Sequence, residues 1–171
     1  MYFLLIYIFY LYIIIVNDKK LLKYAIDYLS KYDSSKNNLL EVLKRKIFKS
    51  NILGIDKSKL LKEIDNILLT LENNNLINDD KYTFSKISIQ SRLGKSKNFI
   101  FNYLIKKGVN KTIINDNFEK FKIRDENWEL ESAKLFAKKK RLLDDKINYE
   151  KKLAKMARAG FSYDICKKVL G

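Results

Sequence analysis

Histidine is absent from the 171 residues, proline is absent, cysteine occurs once and glycine only five times. Without imidazole the chain has lost the commonest general base, every Ser-His or Cys-His nucleophile pair and the commonest metal ligand. The lone Cys166 permits neither an intramolecular disulfide nor a cysteine-based zinc site, so a reducing, cytoplasmic home is expected. The carboxylates Asp79 and Asp80, and Asp144 and Asp145, are adjacent pairs that suit helix caps and solvated turns. No catalysis, no metal and no cofactor is expected. Few glycines and no proline also mean few helix breakers, which favours an all-α fold.

What the chain has instead is cation. Lysine and arginine total 35 against 20 acidic residues, a formal charge of +15. Richness in Lys, Asn, Ile, Tyr and Phe also fits an AT-rich coding sequence, which accounts for part of that excess. Its distribution is uneven: residues 92–124 and 138–171 each carry +7, residues 17–91 carry +4, and residues 125–137 carry −3. A polyanion or an acidic protein surface is the expected neighbour of the C-terminal two thirds. Lysines dominate over arginines, which suits phosphate contact better than bidentate reading of base pairs.

Residues 2–16 read YFLLIYIFYLYIIIV, a run without a charge. Fifteen residues reach roughly 22 Å as a helix, short of a hydrocarbon core of about 30 Å. A basic leader and an A-x-A cleavage site are both lacking, against a secretory signal. Three readings stay open for residues 1–16: a start assigned upstream of the true one, a membrane anchor, or a helix packed on the domain.

From Asn17 onward the apolar spacing is three and four. Leu22, Ala25, Ile26 and Leu29 mark a first helix, and Leu39, Leu40, Leu43 and Ile47 a second. A third carries Leu60, Leu61, Ile64, Ile67, Leu68 and Leu71 and stops at Asn73-Asn74-Asn75. Asn78 or Asp79 should cap a fourth, containing Ile87, and Ser96 a fifth, containing Ile100, Phe101, Leu104 and Ile105. The segment Gly94-Lys95-Ser96 has no upstream Walker glycine and no preceding strand, so it is a turn rather than a phosphate loop.

Three junctions share one grammar of glycine, apolar residue, cap: Gly54-Ile55-Asp56, Gly108-Val109-Asn110 and Gly160-Phe161-Ser162. In each, glycine takes the left-handed conformation that stops one helix and the third residue caps the next. They lie 54 and 52 residues apart, a period near 50 that marks an internal repeat. Ile64, Phe118 and Leu170 fall ten positions past their glycines, and Ile113 and Ile165 five. The expected architecture is an elongated array of three three-helix repeats, 17–78, 79–124 and 125–171, preceded by the apolar segment 1–16. Aromatic residues interleave with the cations at Phe99, Tyr103, Trp128 and Tyr163, and Trp128, inside the acidic stretch, is read as a packing anchor between repeats.

Two stretches carry a likeness to a known family. The first is Asn75-Leu76-Ile77-Asn78-Asp79-Asp80-Lys81-Tyr82, followed by Arg92 and then Leu104-Ile105-Lys106-Lys107-Gly108-Val109; the second runs from Lys152 through Arg158-Ala159-Gly160-Phe161-Ser162-Tyr163-Asp164 to Ile165. They resemble the RecX family, whose members show a Gly-Leu-Ile-Asp-Asp-aromatic segment, a downstream arginine and basic glycine turn, and an Arg-x-Gly-Phe-Ser-Tyr-Asp ending. The likeness covers residues 20–171 and departs from the pattern near Lys97, where a second glycine is expected.

The resemblance implies tandem three-helix units similar to helix-turn-helix domains, lodged in the groove of a RecA recombinase filament on single-stranded DNA. It further implies a non-enzymatic regulator in recombination, DNA repair and the SOS response that restrains the filament's ATPase, coprotease and strand-exchange activities. A monomer that binds single-stranded DNA weakly is expected, with membrane contact only if residues 1–16 act as an anchor. Candidate filament or DNA contacts are Arg92, Lys95, Lys97, Lys106, Lys107, Arg141, Lys151, Lys155, Arg158, Lys167 and Lys168; motif positions with a structural role are Gly54, Asp79, Asp80, Tyr82, Gly108, Gly160, Phe161, Ser162, Tyr163 and Asp164. A stand-alone helix-turn-helix transcriptional regulator is the alternative.

Charge of this kind makes a prediction about salt. Single-strand binding should weaken with a logarithmic slope of about −0.7 per phosphate neutralised. Binding that ignores salt, or that selects one duplex sequence by orders of magnitude, would favour the transcriptional regulator.

Overall fold

The computed structural model describes residues 19–49, 57–144 and 148–171. Every element among them is a helix. In chain order these are α1 (19–29), α2 (Lys36–Lys49), α3 (Lys57–Asn73), α4 (Asp79–Arg92), α5 (Lys97–Lys106), α6 (Lys111–Arg124), α7 (Trp128–Lys139), α8 (Tyr149–Arg158) and α9 (Tyr163–Leu170). The all-α expectation holds. The apolar segment 1–16 and the turn at Gly54 lie outside the described residues. Two compact units divide the chain, residues 1–78 and 79–171.

In the first unit α1, α2 and α3 close around one apolar core that includes Leu21, Ala25, Leu39, Leu43, Ile64 and Leu71. α2 and α3 follow the stripes read from the sequence, since their apolar residues recur every three to four positions and so share a face. α1 is turned slightly from its expected face: Leu21 is buried while Ile26 is 44% exposed. Ser35 ends the α1–α2 corner by accepting from the Asn38 amide at 3.2 Å, which satisfies an orphan donor of α2. The Lys36–Glu72 ion pair at 2.7 Å is solvated on both sides and adds about 1 kcal/mol at most.

The second unit holds two cores. One joins α4, α5 and α6 around Ile87, Ile100, Leu104, Ile114 and Phe118; the other joins α7, α8 and α9 around Ala133, Ala137, Leu142, Met156, Phe161 and Cys166. Trp128 is a packing anchor, stacked on Phe118 at 5.8 Å and edge-on to Phe121 at 5.6 Å. Aromatic pairs of this geometry add about 0.5–1.5 kcal/mol each beyond the area they bury. After each described glycine turn, the position that disappears completely into the core is the sixth, Ile114 and Cys166, while Ile113 and Ile165 are half-buried.

The helix ends explain this regularity. Gly108 has φ +73°, its amide donates to Ile105 at 2.8 Å, and the amide of Val109 donates to Leu104 at 3.1 Å. Gly160 repeats the pattern with φ +89°, through Ala157 at 2.8 Å, and Phe161 donates to Met156 at 3.3 Å. Each turn therefore satisfies two orphan carbonyls and drives the following apolar residue into the core. Asn110 and Ser162 then cap α6 and α9 by accepting from Thr112 at 2.8 Å and Ile165 at 3.3 Å. The same closure occurs with Asn75 at φ +56° after α3, where the sequence placed the helix stop, and with Arg141 at φ +53° after α7, where it was not foreseen. Arg141 stands after α7 where Gly94, at φ +80°, stands after α4. A side chain in that region costs on the order of 1 kcal/mol relative to glycine.

Two outcomes test this packing. A Cβ at Gly160 would lie 2.7 Å from Ser96 Oγ, so Gly160→Ala should cost about 2 kcal/mol in chemical denaturation, and an unchanged midpoint would contradict the arrangement. Asp80 accepts from Asn117 Nδ2 at 2.9 Å and Lys120 Nζ at 2.8 Å, and the Lys120 bond first, then the Asn117 bond, hold its carboxyl below its ordinary value. A depressed folded value stabilises the protein above the ordinary carboxylate range, and that contribution is lost as pH falls through the folded value. Asp80→Asn should therefore be less stable than wild type near pH 7, with the gap closing below about pH 4. A gap of constant size down to pH 2 would show that Asp80 contributes no charge-dependent stability.

Candidate functional site

The residues that face solvent around α5 gather several of the candidate contacts. α5 buries Ile100 and Leu104, which leaves Asn98, Asn102 and Lys106 on its other side at successive spacings of four. Against that side lies the α8–α9 turn. A groove of about 410 Å³ runs between them, lined by Asn98, Phe99, Asn102, Tyr103 and Lys106 from α5 and by Arg158, Ala159 and Gly160 from the turn. Across Gly160 a second groove of about 290 Å³ is lined by Lys97, Asn98, Phe101 and Glu129 together with Ala157, Gly160, Phe161 and Ser162.

A hydroxyl joins the two walls. Ser96 Oγ accepts from the Phe99 amide at 3.1 Å, capping α5, and donates at 2.7 Å to the carbonyl of Ala159, the C-cap residue of α8. Glycine at 160 is required for that approach, because a side chain there would meet Ser96 Oγ at 2.7 Å and Asn98 Cβ at 3.1 Å. The start of α7 is fastened to the same corner: Ser132 Oγ donates to the Lys95 carbonyl at 2.8 Å, and the Lys97 amide donates to Glu129 Oε1 at 3.0 Å. Gly94 lets this happen, since its absent Cβ would sit 3.2 Å from the Phe136 backbone nitrogen.

The groove thus brings together Lys106 and Arg158, one cation from each of the two segments of highest charge, and Lys97 lies beyond the Gly160 ridge. Arg158 Nε donates to the Ala154 carbonyl at 3.2 Å, which steadies the start of its guanidinium. Lys95 and Lys107 serve the walls: their ammonium groups lie 4.5 Å from the Phe99 ring centroid and 6.0 Å from that of Tyr103. Arg92, Arg141, Lys151, Lys155, Lys167 and Lys168 are exposed and line neither groove. Lys152, by contrast, is 9% exposed beside Met156, its stem packed into the third core.

Among the motif positions, Tyr82 and Phe161 are core residues, each 4% exposed, and Ser162 is a cap. Asp79 and Asp80 open α4 and favour its positive end, while Asp164 does the same for α9. Tyr163 is 62% exposed at the start of α9. Sequence reasoning missed Asn98 and Asn102. Their spacing of four with Lys106, opposite Ile100 and Leu104, was the available signal.

Comparison with known proteins gives a consistent result, although no family model matches the chain. It is 31% identical over 157 residues to the regulatory protein RecX of Myxococcus xanthus (strain DK1622), an alignment covering 85% of this chain and 81% of that protein. To the regulatory protein RecX of Clostridioides difficile (strain 630) it is 31% identical over 151 residues, covering 85% of this chain and 64% of the relative. The fold is similar to the crystal structure of RecX from Lactobacillus salivarius with a TM-score of 0.68 at 21% identity, over 91% of this chain and 96% of that one. A second RecX crystal structure gives a TM-score of 0.67 at 20% identity, over 89% and 70% of the respective chains. With both RecX-like stretches of the sequence present and four fifths of a curated relative spanned, the chain belongs to the RecX family of regulatory proteins.

Proposed function

We propose that this chain regulates a RecA-type recombinase by binding the filament that the recombinase forms on single-stranded DNA, and that it restrains ATP hydrolysis, coprotease activity and strand exchange. It does so without chemistry of its own, as a cytoplasmic monomer. In this reading residues 17–78, 79–124 and 125–171 are three repeats of one three-helix unit, and the second and third present the working surface. The observation that carries the proposal is the groove in which Lys106 and Arg158 converge from segments of +7 charge. Cations spread beyond the groove, Arg92, Arg141, Lys151, Lys155, Lys167 and Lys168, raise the local potential and speed encounter with a polyanion more than they fix the bound state. DNA in a filament offers phosphates to such a surface.

The test is single-strand-dependent ATP hydrolysis by the cognate recombinase. Wild-type protein should inhibit it. The double variant Lys106→Gln/Arg158→Gln should need roughly tenfold more protein for the same inhibition, the loss of about 1.4 kcal/mol of binding. Replacing Arg45 and Lys62, exposed cations of the first unit, by glutamine should change little. Full inhibition by the folded double variant would remove the groove from the working surface, and no inhibition by wild type would remove the regulatory reading itself.

A further inference from the structure

The groove beside α5 contains more than a phosphate-binding surface needs. Cations alone would neutralise phosphates, yet the same groove that holds Lys106 and Arg158 is lined by two aromatic rings, Phe99 and Tyr103, and two side-chain amides, Asn98 and Asn102. Phe99 is 42% exposed although it is a large apolar residue, and both asparagines are exposed. A carboxamide both donates and accepts, which matches the mixed edges of a nucleobase, and an aromatic ring offers a stacking face that every base can use. The volume, about 410 Å³, falls in the range of small-ligand sites. We infer that this groove is a nucleotide site: it takes one unstacked base of single-stranded DNA against Tyr103 and Phe99, with Asn98 and Asn102 on the base edge and Lys106 and Arg158 on the adjoining phosphates. The inference rests on the reading of the groove as a contact surface and adds to it a class of ligand, a base rather than charge alone.

Charge along the groove sets an orientation. Beyond the Gly160 ridge the lining includes Glu129, whose carboxylate takes the Lys97 amide at 3.0 Å. A phosphate is disfavoured beside that carboxylate and favoured beside Lys106 and Arg158, so the strand lies on their side of the Gly160 ridge. Tyr103 is pre-placed, because it packs on the second core from the helix that Ser96 anchors, while the Lys95 and Lys107 ammonium groups lie 4.5 and 6.0 Å from the Phe99 and Tyr103 ring centroids. A rigid ring in place before binding reduces the ordering cost that weakens most single-strand contacts.

Binding of the full chain to two fluorescently labelled twelve-nucleotide strands at one salt concentration decides the matter: oligothymidylate, and a strand of the same length and charge with abasic sugars throughout. The expected result is binding about tenfold tighter to the strand with bases, in the range that base–aromatic stacking supplies. Asn102→Ala and Tyr103→Leu should each reduce that ratio toward one while leaving abasic binding and the helical circular dichroism unchanged. Lys106→Gln should weaken both strands together and keep the ratio. Should Tyr103→Leu fail to fold, because Tyr103 also packs on the second core, the exposed Asn102 carries the test alone. Equal affinity of wild type for the two strands, the behaviour of a purely anionic or acidic-peptide site, overturns the inference. So does a ratio that survives in every folded groove variant. Absence of filament inhibition alongside a base-dependent ratio would sink the recombinase reading and leave this one standing.

Discussion

The hydroxyl of Ser96 belongs to two helices at once. It accepts from the first turn of α5 and donates to the C-cap carbonyl of α8, 63 residues further along, so the beginning of one helix and the end of another are set against each other by one oxygen. That oxygen is nearly fully buried, at 1% residue exposure, where an unmade hydrogen bond costs about 1–3 kcal/mol. Both bonds are therefore under strong pressure to form together. The glycine at 160 is the counterpart of this constraint: any side chain there would occupy the space of the hydroxyl. Groove, cations and rings follow from the alignment, since α5 supplies one wall and the turn after α8 the other.

Local chemistry made much of this fold legible beforehand. Glycine followed by an apolar residue and a cap is a complete instruction for ending one helix and starting the next, and Gly108 and Gly160 carry it out as read. Helix stripes were legible wherever three or more apolar residues repeated at helical spacing. Arg141 was not, because its left-handed conformation comes from the closure of the α7 end, with Leu142 donating to Ala137 at 2.8 Å, and not from any preference of arginine. Ile26 was misplaced for a similar reason: the face that α1 turns to α2 and α3 buries Leu21 and Ala25 and leaves Ile26 exposed.

The candidate site was legible only in part. Charge pointed to the two glycine turns and so to Lys106 and Arg158, but no sequence pattern states that α5 faces the α8–α9 turn. That pairing depends on contacts between residues more than thirty positions apart, through Ser96, Ser132 and Glu129. Asn98 and Asn102 gain meaning only from it. On an isolated helix they are solvated amides; opposite Arg158 they line a groove with two aromatic rings. Likeness of fold to RecX crystal structures at about a fifth identity shows that the helical framework tolerates wide change in side chains. On that framework this chain places a surface rich in lysine.

The most direct test of the account is where the protein touches a filament. A photoreactive residue at Asn102, in the groove, should cross-link to recombinase filaments assembled on single-stranded DNA, whereas one at Leu69, exposed on the first unit, should cross-link far less. Strong cross-linking from position 69 with none from position 102 would contradict the claim that the groove beside α5 is the working surface.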